Sequence, residues 1–178
     1  MPMIRHAKLV TTALLALFAA LVAFNNLTDY GSNFAFVRHV LAMDTIFPDS
    51  RARWRAIDAP ALWHAAYLII IALEGLTAAL LGWGALAMWR ARRASASAFA
   101  RAKQWAVAGA LAGFVLWFAG FMLVGGEWFL MWQSREWNGQ EAAFRLCIML
   151  LGLMIFLSQS DPEIMPCNPQ GCGDSPTR

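Results

Sequence analysis

The chain has 178 residues, of which 60% are hydrophobic and 14% are charged. Soluble domains are about half apolar and about a quarter charged, so this composition is typical of a membrane protein. A formal net charge of +3 is too small to indicate nucleic-acid binding, and basic loops that set membrane topology explain it better. Three cysteines, Cys147, Cys167 and Cys172, provide no disulfide framework.

Four apolar blocks are long enough to cross a bilayer as helices. A basic head precedes the first block. Because this block is long and no Ala-x-Ala site follows it, we interpret it as a retained helix and not as a cleaved signal peptide. The blocks predict one transmembrane domain over residues 1–161 and a flexible cytoplasmic tail over 162–178. The predicted spans cover about residues 7–24, 62–88, 105–124 and 142–160.

The longest loop joins the first two spans and covers residues 25–61. A short helix is predicted over residues 34–43, with an apolar face opposite Arg38 and His39. This pattern is typical of a helix lying in the membrane interface. Asp58 stands just before the second span and is a candidate N-cap for it.

The second span carries an acidic residue, Glu74, near its middle. His64 and Tyr67 share its helical face, and small residues continue that face. Because an ionised carboxylate at mid-bilayer is costly, Glu74 must be paired, hydrated or protonated. It is either a proton or cation site or a protonated side chain that hydrogen-bonds a neighbouring helix. The absence of a Lys or Arg at its depth favours the second reading.

Three glycines on the third span, Gly109, Gly113 and Gly120, predict a helix-packing seam. An unusual stretch of Trp, acids and amides follows this span over residues 125–139. Its spacing places the Trp128 and Trp132 rings on one aromatic face, on which a lipid tail, a quinone or a partner helix could dock. The binding candidates of this stretch are Glu127, Trp128, Trp132, Trp137 and Asn138.

The fourth span begins after Asn138, a candidate N-cap. Arg145 lies one turn inside it, where its long side chain can snorkel to the interface or reach Glu141 four residues earlier. Basic residues are dense in the head and in the short loop over residues 89–104. This density predicts that both termini are cytoplasmic. The first loop and the 125–139 stretch then share the outer face of the membrane.

We therefore predict an all-α membrane protein, a four-transmembrane-helix bundle in which the long first loop forms an outer cap over the 125–139 stretch. Asp29, Arg38, His39 and Arg145 join the cap candidates, and Glu127 is expected to pair with Arg38. The intramembrane polar stripe comprises His64, Tyr67 and Glu74.

Several sequence segments of this chain resemble those of a bacterial family of predicted small integral membrane proteins, known as domain of unknown function 2165. The resemblance covers nearly the whole chain up to Asp161 and implies a four-helix protein of the bacterial cytoplasmic membrane. It implies no activity and transfers no functional residues. The segments are Asn25–Tyr30, Val37–Val40 with Met43-Asp44, Gly125–Phe129, Met131–Ser134 and Trp137–Gly139.

No catalytic, phosphate-binding or metal-binding motif is found in the sequence, so an enzyme is not favoured and no cofactor is predicted. The leading hypothesis is a non-catalytic protein that binds a lipid-like molecule or a partner membrane protein at the outer aromatic face. A second hypothesis is a small proton-coupled carrier or channel that uses Glu74. A third is an oxidoreductase subunit that binds quinone or haem through His64 and the Trp residues.

Overall fold

A computed structural model of the chain describes residues 3–163 and contains five helices and no strand over that range. Four of the helices are long and apolar enough to cross a membrane. The prediction of an all-α protein with four spans is thereby confirmed. The predicted tail beyond residue 163, with Cys167 and Cys172, lies outside the described residues. The helices are α1 (Met3–Thr28), α2 (Tyr30–Ala42), α3 (Pro60–Ala91), α4 (Ala96–Val115, continuing as a π-helix over Leu116–Trp128) and α5 (Gln140–Ser158).

The four long helices run alternately up and down, so the chain has two distinct ends. The basic end holds the start of α1, the turn between α3 and α4, and the end of α5. The loop end holds α2 and two connections, the first over residues 43–59 and the second over residues 129–139. Which end faces the cytoplasm stays a prediction.

All four long helices begin before their predicted spans, and the first three also end after them, because their polar ends remain helical after the apolar stretch stops. α5 ends at Ser158, two residues before the predicted end of its span. α1 continues to Thr28, so Asn26 belongs to a helix and not to a loop. α3 begins at Pro60 and follows Ala59, and the predicted cap by Asp58 is wrong. Proline needs no such cap, because its fixed φ suits the first helical position and it has no N–H to satisfy.

α3 and α4 pack closely because small residues face each other between them. A Cβ atom on Gly84 would lie 2.4 Å from the Ala106 backbone nitrogen, and one on Gly109 would lie 2.7 Å from the Leu81 nitrogen. The seam predicted at Gly109 is therefore present. Gly82, one of the small residues that continue the polar face predicted on α3, has open space around it.

The last thirteen residues of the third span form a π-helix, Leu116–Trp128, and the Phe129 N–H donates to the Val124 carbonyl across its final turn at 3.0 Å. Leu130 then adopts φ 55°, which ends the helix. A Cβ on Gly126 would lie 2.4 Å from Gln140 Nε2, so this glycine lets the start of α5 approach the π-helix. This close approach explains why position 126, the second of the adjacent residues Gly125 and Gly126, is a glycine.

An apolar core runs through the bundle from the start of α5, near the loop end, to the basic end. Its buried members on the four long helices are Ala16, Leu81, Met88, Phe99, Ala106, Ala110, Leu116, Trp117, Ala143, Cys147, Leu150, Leu153 and Leu157.

Candidate functional sites

Glu74 is buried in the bundle, with 2% of its surface exposed. The Asn26 amide of α1 donates a hydrogen bond to Glu74 Oε2 at 2.8 Å. Asn33 of α2 in turn donates to Asn26 Oδ1 at 2.6 Å. The carboxyl is thus held by an amide chain from two other helices. The sequence pointed to Glu74 but not to these partners, because Asn26 was assigned to the loop.

The polar stripe predicted on α3 divides into two parts. Tyr67 is buried beside Glu74 and donates to the Asn26 backbone carbonyl at 3.2 Å. His64 lies nearer the loop end, where its Nδ1 shares a 2.8 Å hydrogen bond with the Tyr30 hydroxyl. Its ring also stacks on Phe34 with 4.2 Å between centroids. His64 therefore belongs to an aromatic cluster with α2.

The two connections of the loop end lie against each other. Thr45 Oγ1 donates to Ser134 Oγ at 2.9 Å, and the Phe47 N–H donates to Gln133 Oε1 at 3.2 Å. His39 of α2 stacks on Trp137 with 4.6 Å between centroids. Its Nδ1 lies 2.7 Å from Asp44 Oδ2. That this layer is an outer cap stays a prediction, because its side of the membrane is not shown.

Arginine contacts at the loop end differ from those expected. The predicted ion pair between Arg38 and Glu127 is wrong, because the described residues contain no such pair. Arg38 instead lies over the Trp63 ring at 5.8 Å. Arg55, which the sequence did not single out, lies 4.6 Å over the Trp128 ring and donates to the Trp128 carbonyl at 3.3 Å.

Trp128 and Trp132 do not form the single aromatic face that their spacing suggested. The helix ends between them, because Leu130 turns into the left-handed region. Trp128 therefore packs edge-on against Trp54 at 6.0 Å, whereas Trp132 packs edge-on against Phe47 at 5.9 Å. Each ring is about half exposed.

The remaining predicted residues make local contacts. Asn138 Oδ1 accepts from the Gln140 N–H at 3.1 Å, although the residue directly before α5 is Gly139. Arg145 forms the expected ion pair with Glu141 on the exposed face of α5. Asp29 accepts a 2.7 Å hydrogen bond from the Ser32 hydroxyl where α1 meets α2.

A partly open cavity of about 280 Å³ lies between α2, α3 and the π-helix. It contains no charged side chain, and its lining is apolar throughout. Three helices contribute, since Val37 comes from α2, Ala66 and Ile70 from α3, and Phe121 from the π-helix. The other lining residues are Phe36, Val40, Leu41, Ile69, Gly120, Val124, Gly125, Phe129 and Met131.

At the basic end, a buried cluster of charges joins α1 and α4 to the end of α5. Asp161 accepts a hydrogen bond from Lys8 at 3.0 Å and another from Lys103 at 2.6 Å. Arg5 is also buried and donates to the Ala94 carbonyl at 2.7 Å and to the Pro162 carbonyl at 2.8 Å. The sequence did not reveal this cluster, because these residues were assigned to a solvated head, a basic loop and a chain end.

The charge state of Asp161 follows from its two partners. Burial alone would favour the neutral acid, but hydrogen bonds from Lys103 and Lys8 outweigh it and hold the pKa of the carboxyl below its usual range. The carboxylate is therefore ionised at neutral pH and neutralises part of the buried positive charge.

Metal ligands are not gathered at either end: no group of three or more His, Cys, Asp or Glu side chains within residues 3–163 is placed to hold a metal ion.

Comparison with known proteins gives one positive result. Neither the curated proteins nor the solved structures include a match to this chain. A family model described as "predicted small integral membrane protein (DUF2165)" matches residues 4–160, which include all four long helices. The chain belongs to this family of small integral membrane proteins.

Proposed function

We propose that this protein binds the acyl chain of a membrane lipid in the cavity between α2, α3 and the π-helix. The observation that carries the proposal is the cavity itself, about 280 Å³ and lined only by apolar groups. α3 and the π-helix belong to candidate membrane spans, so we expect membrane lipid beside the cavity. Ligand sites in proteins are typically apolar clefts of about 300–1,000 Å³, and the volume of this cavity lies just below that range.

Two arginines at the loop end support an anionic headgroup for this lipid. Arg38 is exposed on α2, the helix that contributes Val37 to the cavity. Arg55 lies over Trp128 and pairs with no carboxylate among the described residues, and neither does Arg38. Guanidinium groups bind phosphate in a bidentate geometry, and Trp rings favour the headgroup level of a bilayer.

The cavity favours a lipid over the other ligands considered. A quinone tail is also apolar, but a quinone head needs polar partners, and the cavity lining supplies no polar side chain. For haem, His39 and His64 are engaged with Asp44 and Tyr30 and lie in separate clusters. A partner helix would need an extended surface, whereas the exposed rings of Trp128, at the end of the π-helix, and Trp132, in the second connection, pack against different neighbours.

The test is native mass spectrometry of the full chain reconstituted with defined lipids. We expect a retained anionic phospholipid, such as phosphatidylglycerol, in preference to phosphatidylcholine with the same acyl chains. Arg38→Gln with Arg55→Gln should reduce this preference several-fold. His6→Gln, an exposed change at the basic end, is the matched control and should leave the preference unchanged. Equal retention of both lipids would remove the headgroup part of the proposal, and retention of neither would remove the lipid site.

A further inference from the structure

Glu74 is a buried acid without a cationic partner. It lies about 21 Å along α3 from Pro60, at about 1.5 Å per residue, and therefore near the middle of the helix. No Lys, Arg or His forms an ion pair with it among residues 3–163. An ionised carboxylate in this position is expensive, so the acid is stable when it carries a proton.

A polar route joins Glu74 to the loop end. Asn33 is exposed, and Asn26 links it to the Glu74 carboxyl through hydrogen bonds of 2.6 Å and 2.8 Å. Water at the loop end therefore comes within two hydrogen bonds of the acid. The titratable groups around this route are Tyr67 of α3, Tyr30 of α2, Asp29 between α1 and α2, and His64 beside Tyr30.

Within residues 3–163, no comparable route leads from Glu74 toward the basic end. The buried face of α3 continues as Thr77, Leu81, Gly84, Ala85 and Met88, over about 21 Å at about 1.5 Å per residue. Thr77 is the one polar residue of this series, and its hydroxyl has no hydrogen-bond partner within the described chain.

The facing helices close the same region with apolar residues, including Ala16, Ala110 and Leu153. The nearest charges in that direction are at the basic end, where Lys8 and Lys103 both bind Asp161.

We propose that Glu74 is a proton-binding site that exchanges protons with the loop-end side of the membrane only. Water that enters beside Asn33 and Asn26 carries the proton to and from the carboxyl, because neutral amides do not relay protons. The apolar core on the basic-end side of the acid blocks further movement of the proton across the bundle. The bundle then responds to pH on one side of the membrane without conducting protons. This proposal does not depend on the lipid site.

The experiment uses the full chain in liposomes and dicyclohexylcarbodiimide, an apolar reagent that labels protonated carboxyls in apolar surroundings. Labelling at Glu74 is measured by peptide mass spectrometry while the pH on each side is changed separately. Trypsin cleavage in the first connection, after exposed Arg51 and Arg53, shows which face is outside. We expect labelling to fall several-fold when the loop-end side becomes alkaline and to stay constant when the basic-end side does.

Two variants on α1 test the route. Asn26→Leu should slow the response to loop-end pH several-fold, whereas Asn25→Leu, on the exposed face of the same helix, should leave it unchanged. The proposal would be overturned if labelling of Glu74 followed the pH on the basic-end side, or if Glu74 were not labelled under any condition. So would a proton flux across the liposomes that Glu74→Gln abolishes, because the site would then be part of a conduction path.

Discussion

Asp161 is the carboxylate on which the charge cluster at the basic end depends. Its side chain is 1% exposed and receives hydrogen bonds from two buried lysines, one on α1 and one on α4. The exposed pair between Glu141 and Arg145 provides the opposite case on α5. Surface pairs contribute little to stability, whereas removal of one partner from a buried pair leaves an uncompensated charge.

We therefore predict that Asp161→Asn lowers the free energy of unfolding by about 3–5 kcal/mol. The measurement is a denaturation curve in detergent micelles. The matched control is Glu141→Gln, which should change the free energy of unfolding by less than about 1 kcal/mol. Equal effects of the two substitutions would show that the buried cluster does not stabilise the bundle.

The same carboxyl gives a pH dependence with a definite sign. Because the pKa of Asp161 is lowered in the folded protein, its stabilising contribution is complete above the unfolded-state value of about 3.9. That contribution is lost as the pH falls through the folded-state pKa. Wild type should thus lose stability in this acid range more steeply than Asp161→Asn. Parallel melting-temperature curves for the two proteins would contradict the assignment.

Individual residues were predictable where a single pattern determined their surroundings. An acid in the middle of an apolar span must be buried or paired, so Glu74 could be identified from the sequence. Its partner Asn26 could not, because a polar residue at the end of an apolar block reads equally well as helix or loop. The partner of Arg38 was also beyond the sequence, because an arginine can lie over an aromatic ring such as Trp63 as well as beside an acid.

At the scale of helices, the contact between α3 and α4 depends on which glycines face the partner. We predict that Gly84→Ala lowers the melting temperature strongly, because its Cβ would lie 2.4 Å from the Ala106 backbone nitrogen. Gly82→Ala, on the same helix with nothing within 4 Å, should be neutral or stabilise by about 0.5–1 kcal/mol. Thermal unfolding of both variants in one detergent checks this. A larger decrease in melting temperature for Gly82→Ala than for Gly84→Ala would show that the contact with α4 does not lie on the Gly84 face of α3.

The helices were predictable from the sequence because long apolar blocks leave few alternatives inside a membrane. Their ends were less so, since hydropathy marks where the apolar stretch stops and not where the hydrogen-bonded helix stops. The π-helix over Leu116–Trp128 was not predicted at all. Its apolar residues fit an α-helix equally well, so their pattern does not distinguish the two kinds of helix.

For the whole molecule, the basic residues predict that the basic end faces the cytoplasm of a bacterium. The check is labelling of intact cells with a membrane-impermeant maleimide after all native cysteines are replaced. Asp49→Cys in the first connection should react, whereas Ser97→Cys at the start of α4 should react only after the cells are opened; both positions are exposed. The reverse pattern would invert the topology.

The cavity between α2, α3 and the π-helix supports the central proposal, and filling it is the most direct test. Native mass spectrometry should compare the lipid retained by Ala66→Phe, which places a ring in the cavity, with that retained by Ala65→Phe, which lies on the exposed side of α3. We expect Ala66→Phe to lose the bound lipid and Ala65→Phe to keep it at the wild-type level. Equal retention by both folded variants would contradict a lipid chain in this cavity.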